Sequence, residues 1–297
     1  MTQSPLARAV AFATLGTCLT LPSLAQAEFI KDSKATLEAR NFYFNRDFRQ
    51  SSNPTPSQAK SEEWAQGFIL RAESGYTEGT VGFGLDAIGM LGFKLDSGDG
   101  TAGSNLLTPD QSSNGSQDYS SDLAVAGKVK VSKTTLRVGD MQYKNMAIAS
   151  SDSRLTPQVF KGGQLISQEI DGLILDGGYV REVNNRNSGD FEDLSITSGG
   201  RRGINVTGGN STDSFTFLGG TYKLTQNLTG AYYYSNLDEL YKQHSFNAVH
   251  VLPLGDKQSL KTDVRYASST DDGNRSNVDN KAFGAMVTYG LDGHAFG

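Results

Sequence analysis

Thr80-Val81-Gly82-Phe83-Gly84-Leu85-Asp86-Ala87-Ile88-Gly89-Met90-Leu91-Gly92-Phe93-Lys94-Leu95-Asp96 is the stretch that decides the fold. Val81, Phe83, Leu85, Ala87, Gly89, Leu91, Phe93 and Leu95 fall on one face. Thr80, Gly82, Gly84, Asp86, Ile88, Met90, Gly92, Lys94 and Asp96 fall on the other. Successive side chains of a strand point to opposite faces, so a period of two held over 17 residues is a strand signal. Strands of globular proteins usually run ~5–6 residues. One this long, with a continuous apolar face, suits a tilted crossing of a bilayer.

The pattern repeats on both sides. Leu260, Thr262, Val264 and Tyr266 oppose Lys261, Asp263 and Arg265, and Phe283, Ala285, Val287 and Tyr289 oppose Gly284, Met286 and Thr288. Leu123, Val125, Gly127, Val129 and Val131 oppose Ala124, Ala126, Lys128, Lys130 and Ser132, and the chain resumes with Leu136 and Val138 against Arg137 and Gly139. Trp64, Phe68, Leu70, Ala72 and Tyr76 are assigned one face, with Arg71 and Glu73 opposite. Glu38 to Arg46 alternates poorly around Phe42-Tyr43-Phe44, and its facing stays open.

A water-soluble antiparallel sandwich also alternates. Long strands, an opposing face that mixes glycine with charges, and aromatics near strand ends favour the membrane instead. Connection lengths agree. Short turns fall at Ser132-Lys133, Thr225-Gln226-Asn227 and Leu254-Gly255-Asp256-Lys257. Long Gly/Ser/Asn-rich connections fall at Arg49 to Glu62, Ser97 to Ser121, Asn184 to Ser211 and Ser268 to Lys281. Turns at the periplasmic end and loops outside is how a transmembrane β-barrel sits. The fold class is therefore an all-β transmembrane antiparallel barrel, with 11 or 12 strands counted along the chain.

The first 27 residues read as a signal peptide: Arg8, an apolar run from Ala9 to Leu21, and a small-x-small site at Ala25-Gln26-Ala27. Export from a Gram-negative cytoplasm follows, with Glu28 as the mature N-terminus. The one cysteine, Cys18, lies inside that peptide, so neither a disulfide nor a thiolate metal site is expected in the mature chain. Removing Arg8 from the 27 Lys and Arg leaves 26 positive charges against 32 Asp and Glu. That mildly acidic balance speaks against a nucleic-acid partner. No later apolar run approaches the ~20 residues of a transmembrane helix.

Enzyme chemistry is not visible. His244, His250 and His294 are scattered and form no metal spacing, and Ser245 is only the chain neighbour of His244. No G-x-S-x-G elbow is present. The glycines from Gly79 to Gly92 alternate through a strand, whereas a phosphate cradle needs them to cap a helix. No catalytic residue, metal or cofactor is expected. An outer-membrane hydrolase and a passive structural barrel or surface adhesin are the competing classes.

Asp292-Gly293-His294-Ala295-Phe296-Gly297 looks like the start of another strand. An open barrel leaves unpaired edges in lipid, at several kcal/mol per backbone group. The chain is therefore read as a fragment, and residues 28–297 alone are not expected to insert as a conducting pore.

Several short motifs resemble the OprD family of substrate-selective porins. Arg40-Asn41-Phe42-Tyr43-Phe44-Asn45-Arg46-Asp47 is similar to the family's first strand. Trp64 to Phe68, Glu73 to Thr77 and Gly79 to Gly84 are similar to the next two. Gly92 to Asp96, Ser153 to Gln158, Phe217 to Gly220 with Tyr222, Tyr241 to Gln243 and Pro253-Leu254 continue in the same order. The resemblance runs from about residue 36 to the end. It implies an eighteen-stranded monomeric barrel, with the last six or seven strands not in this chain, and the barrel-assembly machinery and outer-membrane lipid as partners.

A barrel that wide must be narrowed. Tyr143 to Ser167 lacks alternation and is longer than a turn; from its residues alone it reads equally as a solvated external loop. In OprD-like porins a loop at this position folds into the lumen. The resemblance thus makes 143–167 the constriction, with Asp152, Ser153, Arg154 and Lys161 lining it. Arg40, Arg71, Lys128, Lys130, Arg137 and Arg265 form the second candidate element, a basic ladder. A unit pair ~6 Å apart in water is worth only ~0.7 kcal/mol, which concentrates carboxylates without trapping them. The expected function is passive diffusion of small carboxylate-bearing solutes, amino acids and organic acids among them.

Overall fold

The computed structural model describes residues 29–48, 58–110, 112–197 and 203–297. The signal peptide expected over residues 1–27 lies outside them. Seven strands lead the chain: β1 (Lys34–Asp47), β2 (Lys60–Glu73), β3 (Val81–Asp96), β4 (Tyr119–Val131), β5 (Thr134–Met141), β6 (Val159–Ser167) and β7 (Leu173–Asn184). Two short ones follow, β8 (Phe191–Ser195) and β9 (Ser211–Thr212). The last six are β10 (Phe215–Lys223), β11 (Leu228–Leu237), β12 (Tyr241–Gly255), β13 (Gln258–Asp271), β14 (Asp279–Leu291) and β15 (His294–Phe296).

Every ladder is antiparallel, and the sheet order follows the chain from β1 to β7 and from β10 to β15. The segment β8–β9 hangs off the end of β7. Twelve strands of eight residues or more build the wall, in line with the expected 11 or 12. The short β8, β9 and β15 raise the total to 15, and β15 is the strand start read in the last six residues.

Alternation has the predicted sense. Phe83, Leu91, Phe93 and Leu95 of β3 point outward, whereas Gly82, Met90 and Gly92 are buried on the inner side. Phe283 at 72% exposure and Leu218 at 65% continue the outer band, where hydrocarbon is the natural contact. The ladders satisfy the backbone groups that lipid cannot.

The segment left open, β1, alternates as well. Glu38, Arg40, Phe42 and Phe44 turn inward while Leu37 and Tyr43 are exposed, so the aromatic triplet is split between faces. Tyr76 corrects its assignment. It lies past the end of β2, and its ring packs 5.0 Å from Lys128 Nζ and 5.5 Å from Lys130 Nζ. Strands also run further into the connections than expected: β4 starts at Tyr119, β13 reaches Asp271 and β14 starts at Asp279.

The turns 132–133, 256–257 and 292–293 join their strands in two residues, with positive φ at Ser132, Lys257 and Asp292 as tight hairpins require. Length alternation does not hold throughout: the β13–β14 connection, 272–278, is no longer than the β2–β3 connection, 74–80. The β11–β12 connection, 238–240, is short yet lies at the long-loop end.

Candidate functional site

A pair of glycines makes room on the inner wall. Arg40 of β1 pairs in register with Gly67 of β2, Gly67 with Gly92 of β3, and Gly92 with Ser120 of β4. On these rungs the loop 142–158 comes down. A Cβ on Gly67 would stand 2.9 Å from Leu155 Cγ, and one on Gly92 would stand 3.0 Å from Leu155 Cδ2. Leu155 is buried there with Ala65, Leu106 and Leu107, flanked by Phe42 and Phe44.

Local hydrogen bonds hold the irregular loop backbone. Asn145 Oδ1 accepts from the amides of Ala147 (2.9 Å) and Ile148 (2.8 Å), and Ser150 Oγ accepts from the amide of Tyr143 (3.0 Å). Tyr143 anchors the base, its buried ring edge-on to Phe160 and Phe217. The opposite end is held by charge. Arg40 donates to Asp152 Oδ1 at 2.6 Å and to the Arg154 carbonyl at 3.0 Å, while Arg71 Nη2 stands 3.7 Å from Asp152.

The loop expected over 143–167 is shorter than that. Residues 159–167 form β6, paired with β5 and β7, so Gly162-Gly163 belongs to a strand and not to the loop. The close approach of Tyr179 O, 2.2 Å from where a Gly162 Cβ would stand, explains why a strand position carries glycine there. Lys161 therefore sits on the wall, its Nζ 2.5 Å from Glu182 and 4.0 Å from the Phe191 ring centroid. Asp152, Ser153 and Arg154 are on the loop. Arg154 donates to the carbonyls of Ser104 (3.3 Å) and Ser153 (2.8 Å), with its guanidinium 5.1 Å over the Phe44 ring.

Of the six ladder candidates, five carry a carboxylate partner. Arg40 and Arg71 share Glu38, at 2.6 Å and 2.9 Å. Lys128 is nearly buried, 2.6 Å from Asp86 and 2.7 Å from the Ser74 carbonyl, and Arg137 Nε lies 3.8 Å from the same Asp86. Arg265 pairs with buried Asp263 at 2.9 Å. Lys130 makes no ion pair among the described residues and rests on Tyr76. Five of the six are thus paired on the wall, Arg137 only loosely and Arg265 with most of its side chain exposed.

Sequence reading passed over three contributors. Glu63 of β2 is fully buried and accepts from the Ser104 amide (3.1 Å) and from the hydroxyls of Ser104 and Ser116, drawing loop 97–118 against the inner wall. Asp176 is buried on β7 and accepts from neutral donors, Asn145 (2.8 Å), Gln164 (2.9 Å) and Tyr233 (3.4 Å). Arg186, between β7 and β8, donates to Ser153 Oγ at 2.7 Å. The cue for Glu63 was a charge on the inward side of Ala65 and Gly67; Arg186 stands in no alternating segment and had none.

An antiparallel wall with an apolar outer face, a charged inner face and loops folded against that inner face defines a porin-type barrel. Family comparison agrees: residues 27–297 match the model of the outer membrane porins of the OprD family. The chain belongs to the OprD family. It is 37% identical over 288 residues to the porin-like protein GalP of Pseudomonas putida, covering 95% of this chain and 67% of that one. Identity to Porin D of Pseudomonas aeruginosa is 36% over 270 residues, or 90% of this chain and 58% of that one. The crystal structure of Pseudomonas aeruginosa OpdQ superposes with a TM-score of 0.79 at 55% identity, covering 91% of this chain and 66% of that one. The chain thus spans 58% to 67% of the length of these relatives. These relatives are porins, not enzymes.

Proposed function

We propose that the protein mediates passive, substrate-selective diffusion of small carboxylate-bearing solutes across the outer membrane. The observation that carries this reading is the contact of loop 142–158 with the inner wall, through Arg40–Asp152 at 2.6 Å and Leu155 over Gly67 and Gly92. A loop held there narrows the path and brings Arg154 beside it. In this reading Asp152, Ser153 and Arg154 line the constriction. Lys130, Arg137 and Arg265 flank the path as cations that steer anions without holding them. Lys128 and Lys161 are wall groups that set the local field. An adhesin or purely structural barrel would place its function on outward loops, whereas both 97–118 and 142–158 pack inward. Amino acids and organic acids fit the proposed chemistry. A monomer inserted by the barrel-assembly machinery, with its short turns in the periplasm, completes the proposal.

The test is Arg154→Ala in the full-length porin, assayed with N-acetylglycine and its uncharged amide. Uptake of the carboxylate should fall more than that of the amide; an equal effect on both would sink the electrostatic filter.

A further inference from the structure

We propose that Asp176 is a positioning residue for loop 142–158, fixing the base of the loop to the wall through the side chain of Asn145. The proposal rests on the reading of this loop as the constriction and identifies what holds its base. Asp176 stands on β7, buried, in register with Ile166 of β6 and Gly219 of β10. A buried carboxylate is costly unless its oxygens are hydrogen-bonded. Asp176 makes no ion pair among the described residues, so neutral donors supply that stabilisation.

Two donors come from the wall. Gln164 Nε2 donates to Oδ1 at 2.9 Å, and the Tyr233 hydroxyl donates to Oδ2 at 3.4 Å. Gly219, the register partner of both Asp176 and Tyr233, makes room for that ring: a Cβ there would stand 2.4 Å from Tyr233 Cγ. The third donor, and the shortest bond, comes from the loop: Asn145 Nδ2 donates to Oδ2 at 2.8 Å.

The same side chain shapes the loop. Asn145 Oδ1 accepts from the amides of Ala147 and Ile148, and the Asn145 amide donates to the Ile148 carbonyl at 2.9 Å. One carboxamide therefore closes the turn with its oxygen and docks it with its nitrogen. Lifting the turn would leave a buried charge one donor short, and hydrogen bonds to a charged acceptor are roughly twice as strong as neutral ones. Arg40 and Asp152 hold the loop further along, so it is suspended from the wall at two points.

The experiment records single-channel current of the full-length porin in planar bilayers, with heat-modifiable gel mobility as the check of folding. Asn145→Asp keeps the acceptor for the Ala147 and Ile148 amides but sets a second carboxylate against Asp176. Asp176→Asn keeps an acceptor for the wall donors but turns a donor toward Asn145. Each should raise the occupancy of displaced conductance levels, relative to the main level, about tenfold. That ratio is ~1.4 kcal/mol, near the lower end for a hydrogen bond to a charged group. The exchange Asn145→Asp/Asp176→Asn rebuilds the pair in the opposite sense and should return most of the ratio to wild type. A carboxylate that only stiffened the wall through Gln164 and Tyr233 would not be rescued from the loop side. Asn145 lies outside the wall strands, so its variant is readable even where Asp176→Asn does not fold. Wild-type ratios in Asn145→Asp, or no recovery in a folded exchange, would overturn the proposal. If Gly92→Ala changes the conductance while Asn145→Asp does not, this inference alone fails. If neither variant changes the current, the constriction reading fails with it.

Discussion

Arg40 and Asp152 lie 112 residues apart in the chain and 2.6 Å apart in the fold. The contact joins the first strand of the wall to a loop between the fifth and sixth strands, so it ties that loop to the inner face of the wall. Asp152 also neighbours Arg71, which makes it the point where loop and wall charges meet.

Asp152→Asn should loosen the loop without unfolding the barrel. Asp152 keeps 39% of its side chain exposed, and pairs this open to solvent contribute ~0.2–1 kcal/mol. The expected outcome is noisier single-channel current at unchanged heat-resistant mobility on gels. Quiet, wild-type traces would show that Leu155 alone seats the loop.

Gly92→Ala should displace the loop more than the charge change does. The new Cβ would meet Ser120 Oγ at 2.7 Å and Leu155 Cδ2 at 3.0 Å, and overpacking of this kind costs ~1–3 kcal/mol. Because Gly92 faces inward, the lipid face is untouched. Conductance should rise and discrimination between acid and amide should fall; unchanged conductance would mean that Leu155 yields locally.

Asp86→Asn should act on stability instead. Lys128, with 9% of its side chain exposed, would keep the Ser74 carbonyl and Tyr76 but lose its carboxylate partner. Removing one partner of a buried pair costs roughly 3–5 kcal/mol. The urea midpoint of the folded porin in vesicles should drop markedly, and Asp86→Asn/Lys128→Met should recover part of it. A single variant as stable as wild type would contradict this.

Glu169 gives a pH dependence at the short-turn end. Its carboxylate accepts from Thr134 Oγ1 (2.9 Å), Ser132 Oγ (2.9 Å) and the Lys133 amide (2.8 Å), and these bonds hold it below the usual carboxylate range. A depressed folded value means that the stabilisation is present above the unfolded value of ~4.3 and is lost as pH falls through the folded one. Glu169→Gln should therefore be less stable than wild type at neutral pH and equal to it in strong acid. A constant difference across pH would refute the linkage.

Period-two alternation is a local property, since each residue's face follows from its neighbours along the strand. Sequence alone therefore determined that Val81 to Asp96 is one long strand, that Phe83 and Leu91 face outward, and that 11 or 12 wall strands follow one another. Motifs such as those at Arg40 to Asp47 and Ser153 to Gln158 added the family. The boundary at Val159 was missed because Val159 to Ser167 shows no clear polar–apolar alternation, Lys161 and Gly162-Gly163 interrupting it.

What only the tertiary structure decided is which charges are compensated. Arg71, Lys128 and Arg186 look alike as letters, yet Glu38 claims the first, Asp86 the second and, among the described residues, no carboxylate the third. Those partners stand 33 and 42 residues away. Coulomb energy depends on distance and burial through space, and neither is written in the order of the chain.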